Sequence, residues 1–242
     1  MIVTNALVLR RSEYKDNDRM LTLLSPELGR IDAIARGCRR QKSPLLNAAE
    51  LFTAGEYALT ETRGRYSVLS CQVTDSFFPI RTDVDLLTHG AYILSLLYSA
   101  SQPNLPSEAL FLLGLHALAH LAYAPLPPAL TTFGFEMHLM HILGQSPSAV
   151  QCVRCGREIE TGGRFDALAG GAICPRCFSG APPISDGARR ILHKAPRTKF
   201  ESIALLEERP EWREAARYMR EFTLDHMEVR PKAIPDLEED AP

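Results

Sequence analysis

Residues 152–177 read CVRCGREIETGGRFDALAGGAICPRC, a stretch that contains two Cys-x-x-Cys pairs separated by 18 residues. The four cysteines of these pairs are Cys152, Cys155, Cys174 and Cys177. This spacing is typical of four-cysteine zinc sites, in which each pair turns two thiolates toward one ion. Because four thiolates leave no coordination position for water or substrate, the predicted Zn²⁺ is structural. Residues 151–181 are therefore predicted to form a four-cysteine zinc finger.

The cellular location expected from the sequence is the cytoplasm. Residues 1–5 lack the basic region of a secretory signal, and the apolar run that follows is too short for its hydrophobic region. Thiols stay reduced in the cytosol, so the six cysteines do not suggest a disulfide framework. The most apolar stretch, residues 109–124, is shorter than the ~20 residues that cross a bilayer. It is predicted to be a buried helix, and no membrane partner is expected.

The chain has 242 residues, of which 45% are hydrophobic, and a net charge of −2. The distribution of charged residues divides it into three parts. Residues 1–81 carry 12 Lys+Arg against 9 Asp+Glu, and residues 154–242 carry 15 against 16. Residues 82–153 carry 4 Asp+Glu and no lysine or arginine. The length and apolar content predict a globular chain on the boundary between one domain and two or three.

The fold class predicted from the sequence is α+β and multidomain. Residues 1–80 are predicted to form a five-stranded OB-fold barrel that binds DNA, because short apolar and β-branched runs alternate with turn residues there. The predicted strands are 5–11, 20–25, 30–36, 54–61 and 66–75.

A helical domain, made of residues 81–150 and 182–230, is predicted to follow and to contain the inserted zinc finger. The predicted helices are 83–101, 107–123, 128–143, 185–194 and 211–229, which show apolar periodicity or capping signals. Residues 231–242 are acidic and flanked by prolines, and they are predicted to be a disordered tail.

A basic loop follows the third predicted strand, between Arg30 and Lys42. Residues 1–42 hold 9 Lys+Arg against 5 Asp+Glu, a local excess of +4 on a chain with a total of −2. Such a loop beside a barrel can bind phosphates without reading bases. The alternative is a solvated loop with ordinary surface charge.

Three runs in the N-terminal part resemble the opening of the bacterial recombination mediator RecO family. They are ALVLRRSEYKDNDR at 6–19, residues 23–29, and ARGCRRQKS at 35–43. The two cysteine pairs, together with Gly156, Phe165 and residues 170–171, resemble the zinc-bearing form of that family. The order of barrel, helices and zinc finger extends the resemblance over nearly the whole chain.

This resemblance implies a non-enzymatic role in recombinational DNA repair. It implies binding to single- and double-stranded DNA, annealing of complementary strands without nucleotide hydrolysis, and help in loading RecA onto strands coated by single-stranded-DNA-binding protein. The implied partners are RecR, that coating protein and, indirectly, RecA, at a cytoplasmic, nucleoid-associated location. No nucleotide-binding loop or catalytic motif contradicts a non-enzymatic role. The alternative function is a zinc-containing protein-interaction or assembly module with incidental basic loops.

The clustering of cations on the predicted barrel suggests which residues contact DNA. The predicted phosphate contacts are Arg11, Lys15, Arg19, Arg36, Arg39, Arg40, Lys42, Arg63 and Arg65. Tyr14 and Tyr66 are predicted either to stack on bases or to pack at the barrel rim. A secondary basic set either extends this surface or forms the polar face of its helix. That set comprises Arg189, Arg190, Lys194, Arg197 and Lys199.

Overall fold

The computed structural model describes residues 1–177 and 180–236 of the chain. The N-terminal part is a closed barrel of five strands in the order β1-β2-β3-β5-β4. Neighbouring strands are antiparallel, except for β3 and β5, which pair in parallel. The predicted OB-like barrel is therefore confirmed. Its strands are β1 Ile2–Tyr14, β2 Asp18–Ser25, β3 Gly29–Ala35, β4 Ala54–Thr62 and β5 Arg65–Asp75.

Alternating burial explains why these segments form strands around a core. In β3, Ile31 and Ala35 are buried, while Asp32 between them is exposed, as expected for a repeat of two residues. The pairing of β1 with β2 is irregular between Val8 and Arg10. β1 is largely buried before this irregularity and exposed after it, so its end carries polar side chains into solvent.

The segment between β3 and β4, residues 36–53, consists of successive turns and is called the capping segment below. Leu45, Ala48 and Ala49 of this segment belong to the buried barrel core. The Tyr57 hydroxyl of β4 donates a hydrogen bond of 2.7 Å to the Ala48 carbonyl. Apolar packing therefore holds the capping segment against the barrel.

Three helices pack beside the barrel and belong with it to the first compact unit, Met1–Ala124. The second and third helices approach β1 closely at Gly114, which lies on the third helix. A Cβ atom at this glycine would lie 3.3 Å from Leu7 of β1 and 2.8 Å from Leu97 of the second helix. Leu7 and Leu9 are fully or almost fully buried. The helices are α1 Pro79–Thr82, α2 Val84–Ala100 and α3 Glu108–Tyr123.

The loop between α2 and α3 is fixed to the β2–β3 hairpin. The Arg30 N–H donates to the Gln102 carbonyl at 3.4 Å, and the Asn104 N–H donates to the Arg30 carbonyl at 3.0 Å. Gly29 has φ +69°, and a Cβ atom there would lie 2.2 Å from the Leu105 carbonyl oxygen. Only glycine fits this position without a shift of the backbone.

The second compact unit begins at Pro125. Its core gathers large side chains, including Phe133, Phe165, Trp212, Tyr218 and Phe222. Two 3-10 helices, Ala195–Arg197 and Phe200–Leu206, follow α5 and were not predicted from the sequence. The regular elements are α4 Pro128–Ile142, β6 Arg164–Asp166, β7 Gly171–Ile173, α5 Asp186–Lys194 and α6 Glu211–His226.

The domain boundaries predicted from the sequence stay predictions, although the two compact units meet between Ala124 and Pro125. Of the predicted acidic tail, residues 231–236 contain no helix or strand, and residues 237–242 lie outside the described residues. Among the described parts of the chain, no helix is long and apolar enough to span a membrane.

Candidate metal centre and nucleic-acid cleft

The four predicted metal ligands converge on one point of the second unit. Their sulfur atoms all lie within 4.8 Å of one another, and Cys155 Sγ is 3.7 Å from Cys174 Sγ. A tetrahedral ion with metal–sulfur bonds of ~2.3 Å holds its ligands about 3.8 Å apart. The cluster is therefore compatible with one metal ion. Elsewhere in residues 1–177 and 180–236, no three potential ligand residues form such a group.

Backbone geometry brings the two cysteine pairs together. After Cys155 the chain turns at Gly156, which has φ +72° and donates its N–H to the Cys152 carbonyl at 2.8 Å. The β6–β7 hairpin then returns the chain to the second pair, where the Cys177 N–H donates to the Cys174 carbonyl at 3.0 Å. Each pair thus lies in a tight turn that directs two sulfur atoms to the same side.

The electrostatics of the cluster favour the thiolate form at Cys152. Desolvation raises the pKa of this thiol, but the backbone N–H groups of Cys174, Arg154 and Cys155 outweigh it and lower the pKa to about 6. Metal ions bind cysteine as the thiolate, so Cys152 is suited to ligation. Hydrogen bonds with Cys155 and Cys174 raise the pKa of Cys177 to about 12, so this thiol gives up its proton when a metal ion binds.

Arg189 of α5 lies against the metal centre rather than on the surface. Its guanidinium donates to the Ala149 and Ile159 carbonyls at 3.1 and 3.0 Å, and it pairs with Asp186 at 2.7 Å. Asp186 also accepts the Gly162 N–H at 2.9 Å. Arg189 is only 3% exposed, so its guanidinium is not accessible for the contact with DNA that the sequence suggested. The residue instead connects α5 to the chain just before and just after the first cysteine pair, at Ala149 and Ile159.

Replacing Arg189 with lysine is expected to lower the free energy of unfolding by about 2 kcal/mol. Arg189 bonds the two carbonyls through Nη1 and the Asp186 carboxylate through Nη2, and one ammonium nitrogen cannot take the positions of both. Chemical denaturation of the metal-loaded protein measures this change. Arg190→Lys, one residue along and exposed, is the matched control and should stay within about 0.5 kcal/mol of the unchanged protein. Equal stability of the two variants would contradict the connecting role of Arg189.

A cleft of about 720 Å³ opens on the barrel in the first unit. It is bordered by the β1–β2 turn, the end of β3 and the β4–β5 hairpin, and it brings together four of the predicted DNA contacts. These four cations are Lys15, Arg36, Arg63 and Arg65. Asp18 also lines the cleft, and its carboxylate accepts the Gly37 N–H at 2.8 Å. Four cations against one carboxylate make the cleft strongly positive.

Tyr14 adds an aromatic ring to this cleft. Its side chain is 40% exposed, and Lys15 Nζ lies 5.6 Å from its ring centroid. Tyr66, in contrast, is partly buried and packs against the barrel core. Of the two tyrosines considered from the sequence, only Tyr14 has the exposure that stacking on a base requires.

Two of the cleft cations lie at turn positions that are unusual for long side chains. Lys15 has φ +56° and Arg63 has φ +52°, both in the left-handed region. Thr62 pairs with Arg65, so Arg63 and Gly64 form a two-residue hairpin loop in which both φ values are positive. Asparagine and glycine are the residues favoured in such a loop. A cation held there at a conformational cost indicates a role other than folding.

Other predicted contacts pair with acidic residues that the sequence reasoning missed. Arg11 and Arg19 both bind the Glu50 carboxylate of the capping segment, Arg19 at 2.6 Å. Arg39 pairs with Glu13 at 3.1 Å. Glu50 is 31 residues from Arg19 along the chain, and no sequence pattern links them. Arg40 and Lys42 are exposed on the capping segment and do not line the cleft.

The secondary basic set is only partly brought together. Arg190 and Lys194 border an apolar groove of about 490 Å³ in the second unit. Arg197 donates to the His193 carbonyl, and Lys199 is exposed outside the groove. Arg209, which the sequence reasoning did not single out, borders the same groove.

The fold and these two sites define an OB-barrel protein with a cationic cleft and a four-cysteine centre in a helical unit. Residues 1–77 match the family described as "Recombination protein O N terminal", and residues 81–234 match "Recombination protein O C terminal". The chain therefore belongs to the RecO family.

Individual relatives support this assignment. A "DNA repair protein RecO" of Desulfitobacterium hafniense is 33% identical over 233 residues, which cover 91% of this chain and 84% of the relative. A protein with the same name from Acetivibrio thermocellus is 30% identical over 207 residues, covering 84% of this chain and 82% of the relative. The one from Clostridium novyi is 25% identical and covers 96% and 91%.

Proposed function

We propose that this protein is a DNA-binding recombination mediator that binds single- and double-stranded DNA and anneals complementary strands without hydrolysing nucleotides. The observation that carries this proposal is the cleft, which collects Lys15, Arg36, Arg63 and Arg65 around the exposed Tyr14. Membership of the RecO family and the DNA repair name of its relatives support it.

The chemistry of the cleft suits a single strand. Cations that neutralise phosphates release condensed counterions, which favours binding at low salt regardless of base sequence. The Tyr14 ring offers a stacking surface that accepts any base. Duplex DNA would use exposed cations outside the cleft, such as Arg40 and Lys42 on the capping segment.

Annealing requires two polyanions to be held near each other, while base pairing itself tests the sequence. The exposed cations Arg190, Lys194, Arg197 and Lys199 of the second unit supply further positive charge for this purpose. Because neutralising phosphates consumes no chemical energy, the step needs no nucleotide, and we propose no enzymatic activity.

We propose Zn²⁺ as the metal of the four-cysteine centre, with a structural role. Four thiolates are the donor set of structural zinc sites, and they leave no open position for catalysis. The apolar residues around the centre, including Ile159, Ala172 and Ile173, form only a small cluster. Such a small element relies on a metal for its stability.

In cells, we propose that the protein acts with RecR to load RecA onto DNA coated by single-stranded-DNA-binding protein. These partners follow from membership of the RecO family, and the direct contacts would be with RecR and the coating protein. The alternative function is an assembly module with incidental basic loops. It does not explain why four cations line one cleft.

An annealing assay tests this function. Two complementary oligonucleotides, one of them labelled, are mixed without nucleotide at increasing salt, with and without the protein. We expect the protein to accelerate duplex formation at low salt and to lose this effect as salt rises, because phosphate neutralisation is screened. No acceleration at any salt concentration, together with no retention on single-stranded DNA, would favour the assembly module.

Replacing Arg63 with asparagine is expected to separate DNA binding from folding. The free energy of unfolding should rise by roughly 0.5 kcal/mol, because asparagine tolerates the left-handed conformation of Arg63 better. Affinity for a single-stranded oligonucleotide at 50 mM salt should fall about eightfold through the loss of one phosphate contact. Thermal unfolding and fluorescence anisotropy measure the two effects. A variant that loses both stability and affinity would indicate that Arg63 serves the fold.

A further inference from the structure

Glu50 of the capping segment lies between cations of the barrel. Its two carboxylate oxygens take different partners: Oε2 pairs with Arg11, and Oε1 pairs with Arg19 at 2.6 Å. Arg19 also donates to the Ala49 carbonyl at 3.1 Å. One carboxylate therefore bridges two guanidinium groups that come from neighbouring strands, β1 and β2.

A third guanidinium adds to the positive charge beside this bridge. Burial lowers the pKa of Arg81 most, Glu50 opposes this effect and Arg11 adds to it, so the three groups are electrostatic neighbours. Arg81 donates to the Leu51 carbonyl at 2.7 Å. Two guanidiniums that bind Glu50 and a third nearby thus leave a local excess of positive charge.

The bridge is partly open to solvent. The side chains of Arg11, Glu50 and Arg19 are 35%, 23% and 16% exposed, so Arg11 is the more accessible of the two cations. Partly exposed ion pairs contribute modest net stability, on the order of 1 kcal/mol, because water and salt still screen them. An anion from solution can therefore compete for the two guanidiniums at small cost.

The capping segment does not depend on Glu50 for its position. Ala48 and Ala49, just before Glu50, are buried in the barrel core, and the Ala48 carbonyl accepts the Tyr57 hydroxyl. Thr53, just after, is also buried and accepts a hydrogen bond of 2.9 Å from Arg81. The carboxylate can consequently leave Arg11 and Arg19 while the backbone on either side stays in place.

Phosphodiester groups carry the same single negative charge as a carboxylate and bind arginine through the same pair of N–H donors. We propose that Arg11 and Arg19 form a backbone-phosphate site that Glu50 fills when DNA is absent, so that Glu50 acts as an internal competitor of DNA. This inference rests on the proposed DNA-binding function and concerns its regulation. It explains why one acidic side chain neutralises two cations on a barrel surface that could otherwise bind DNA.

The test compares Glu50→Gln with Glu13→Gln in the full chain. Both substitutions remove one negative charge next to the cations of the β1–β2 hairpin. Glu13, however, is 72% exposed and bridges no second cation among residues 1–177 and 180–236. With a single-stranded oligonucleotide at 50 mM salt, E50Q should bind roughly eightfold more tightly than the unchanged protein and show a salt dependence steeper by about 0.7. E13Q should change the affinity by less than about twofold.

Glu50→Asp separates occlusion from net charge. Its shorter side chain keeps the negative charge but reaches only one of the two guanidiniums, so the affinity for the oligonucleotide should rise about two- to threefold. If E50Q does not fold, E50D alone tests the inference. Equal affinities of E50Q and E13Q, or an unchanged affinity of E50D, would overturn the inference while leaving the DNA-binding function standing. Absence of DNA binding by the unchanged protein and by all three folded variants would instead overturn the proposed function.

Discussion

A variant in which Lys15, Arg36, Arg63 and Arg65 are all replaced by alanine is expected to bind a short single-stranded oligonucleotide about 4,000-fold more weakly at 50 mM salt. Each phosphate neutralised on a single strand contributes about 0.7 to the slope of log affinity against log salt. At 50 mM salt this corresponds to about eightfold per contact, and four contacts multiply. The slope itself should fall by about 2.8, because four counterion-release steps are lost.

Fluorescence anisotropy over a series of salt concentrations measures both quantities. The matched control replaces four exposed cations of the second unit, Arg213, Arg217, Arg230 and Lys232, which gives the same change in net charge. Its affinity should stay within about tenfold of the unchanged protein, since none of these cations lines the cleft. If both quadruple variants lost affinity equally, the cleft would be no more than part of a diffuse basic surface.

Removing the metal centre is expected to have the largest effect on stability. Cys174→Ser should abolish the proposed binding of one Zn²⁺ per chain and unfold the segment around the β6–β7 hairpin. Structural zinc sites contribute on the order of 10 kcal/mol, as much as the whole stability of a typical domain. The small cluster around Ile159, Ala172 and Ile173 cannot replace that contribution.

Elemental analysis gives the zinc content, and thermal unfolding with and without a chelator gives the stability. Cys71→Ser is the control: Cys71 lies in β5 of the barrel, so zinc content should not change. DNA binding by the barrel cleft should outlast the loss of zinc. A folded, zinc-free Cys174→Ser protein that has selectively lost DNA binding would show that the metal centre belongs to the DNA site.

The features that follow from local sequence were predicted well. Strands such as β2 and β3 show the two-residue repeat and the flanking turn residues, and the spacing of the cysteine pairs predicts their convergence. Both signals lie within short stretches, where neighbouring residues decide the backbone conformation.

Contacts between residues that are far apart in the sequence could not be predicted from local patterns. Arg189 occurs in a run of basic residues and looks like a surface cation, yet the carbonyls of Ala149 and Ile159 enclose it once the metal-binding segment has folded. Likewise, the sequence does not reveal that Glu50 meets Arg11 and Arg19, because only closure of the barrel brings the capping segment to β1 and β2. Composition gives the number of cations, whereas the fold decides which of them are free of acidic or carbonyl partners and can bind DNA.

The packing of Leu7 against Leu97 and Gly114 has a consequence for how this fold can be divided. A fragment that ends near residue 80, where the two family matches meet, would expose Leu7 to water and lose the loop that pairs with Arg30. We expect such a fragment to aggregate, whereas residues 1–124 should fold cooperatively. The barrel and its first three helices should therefore unfold together, as one cooperative unit.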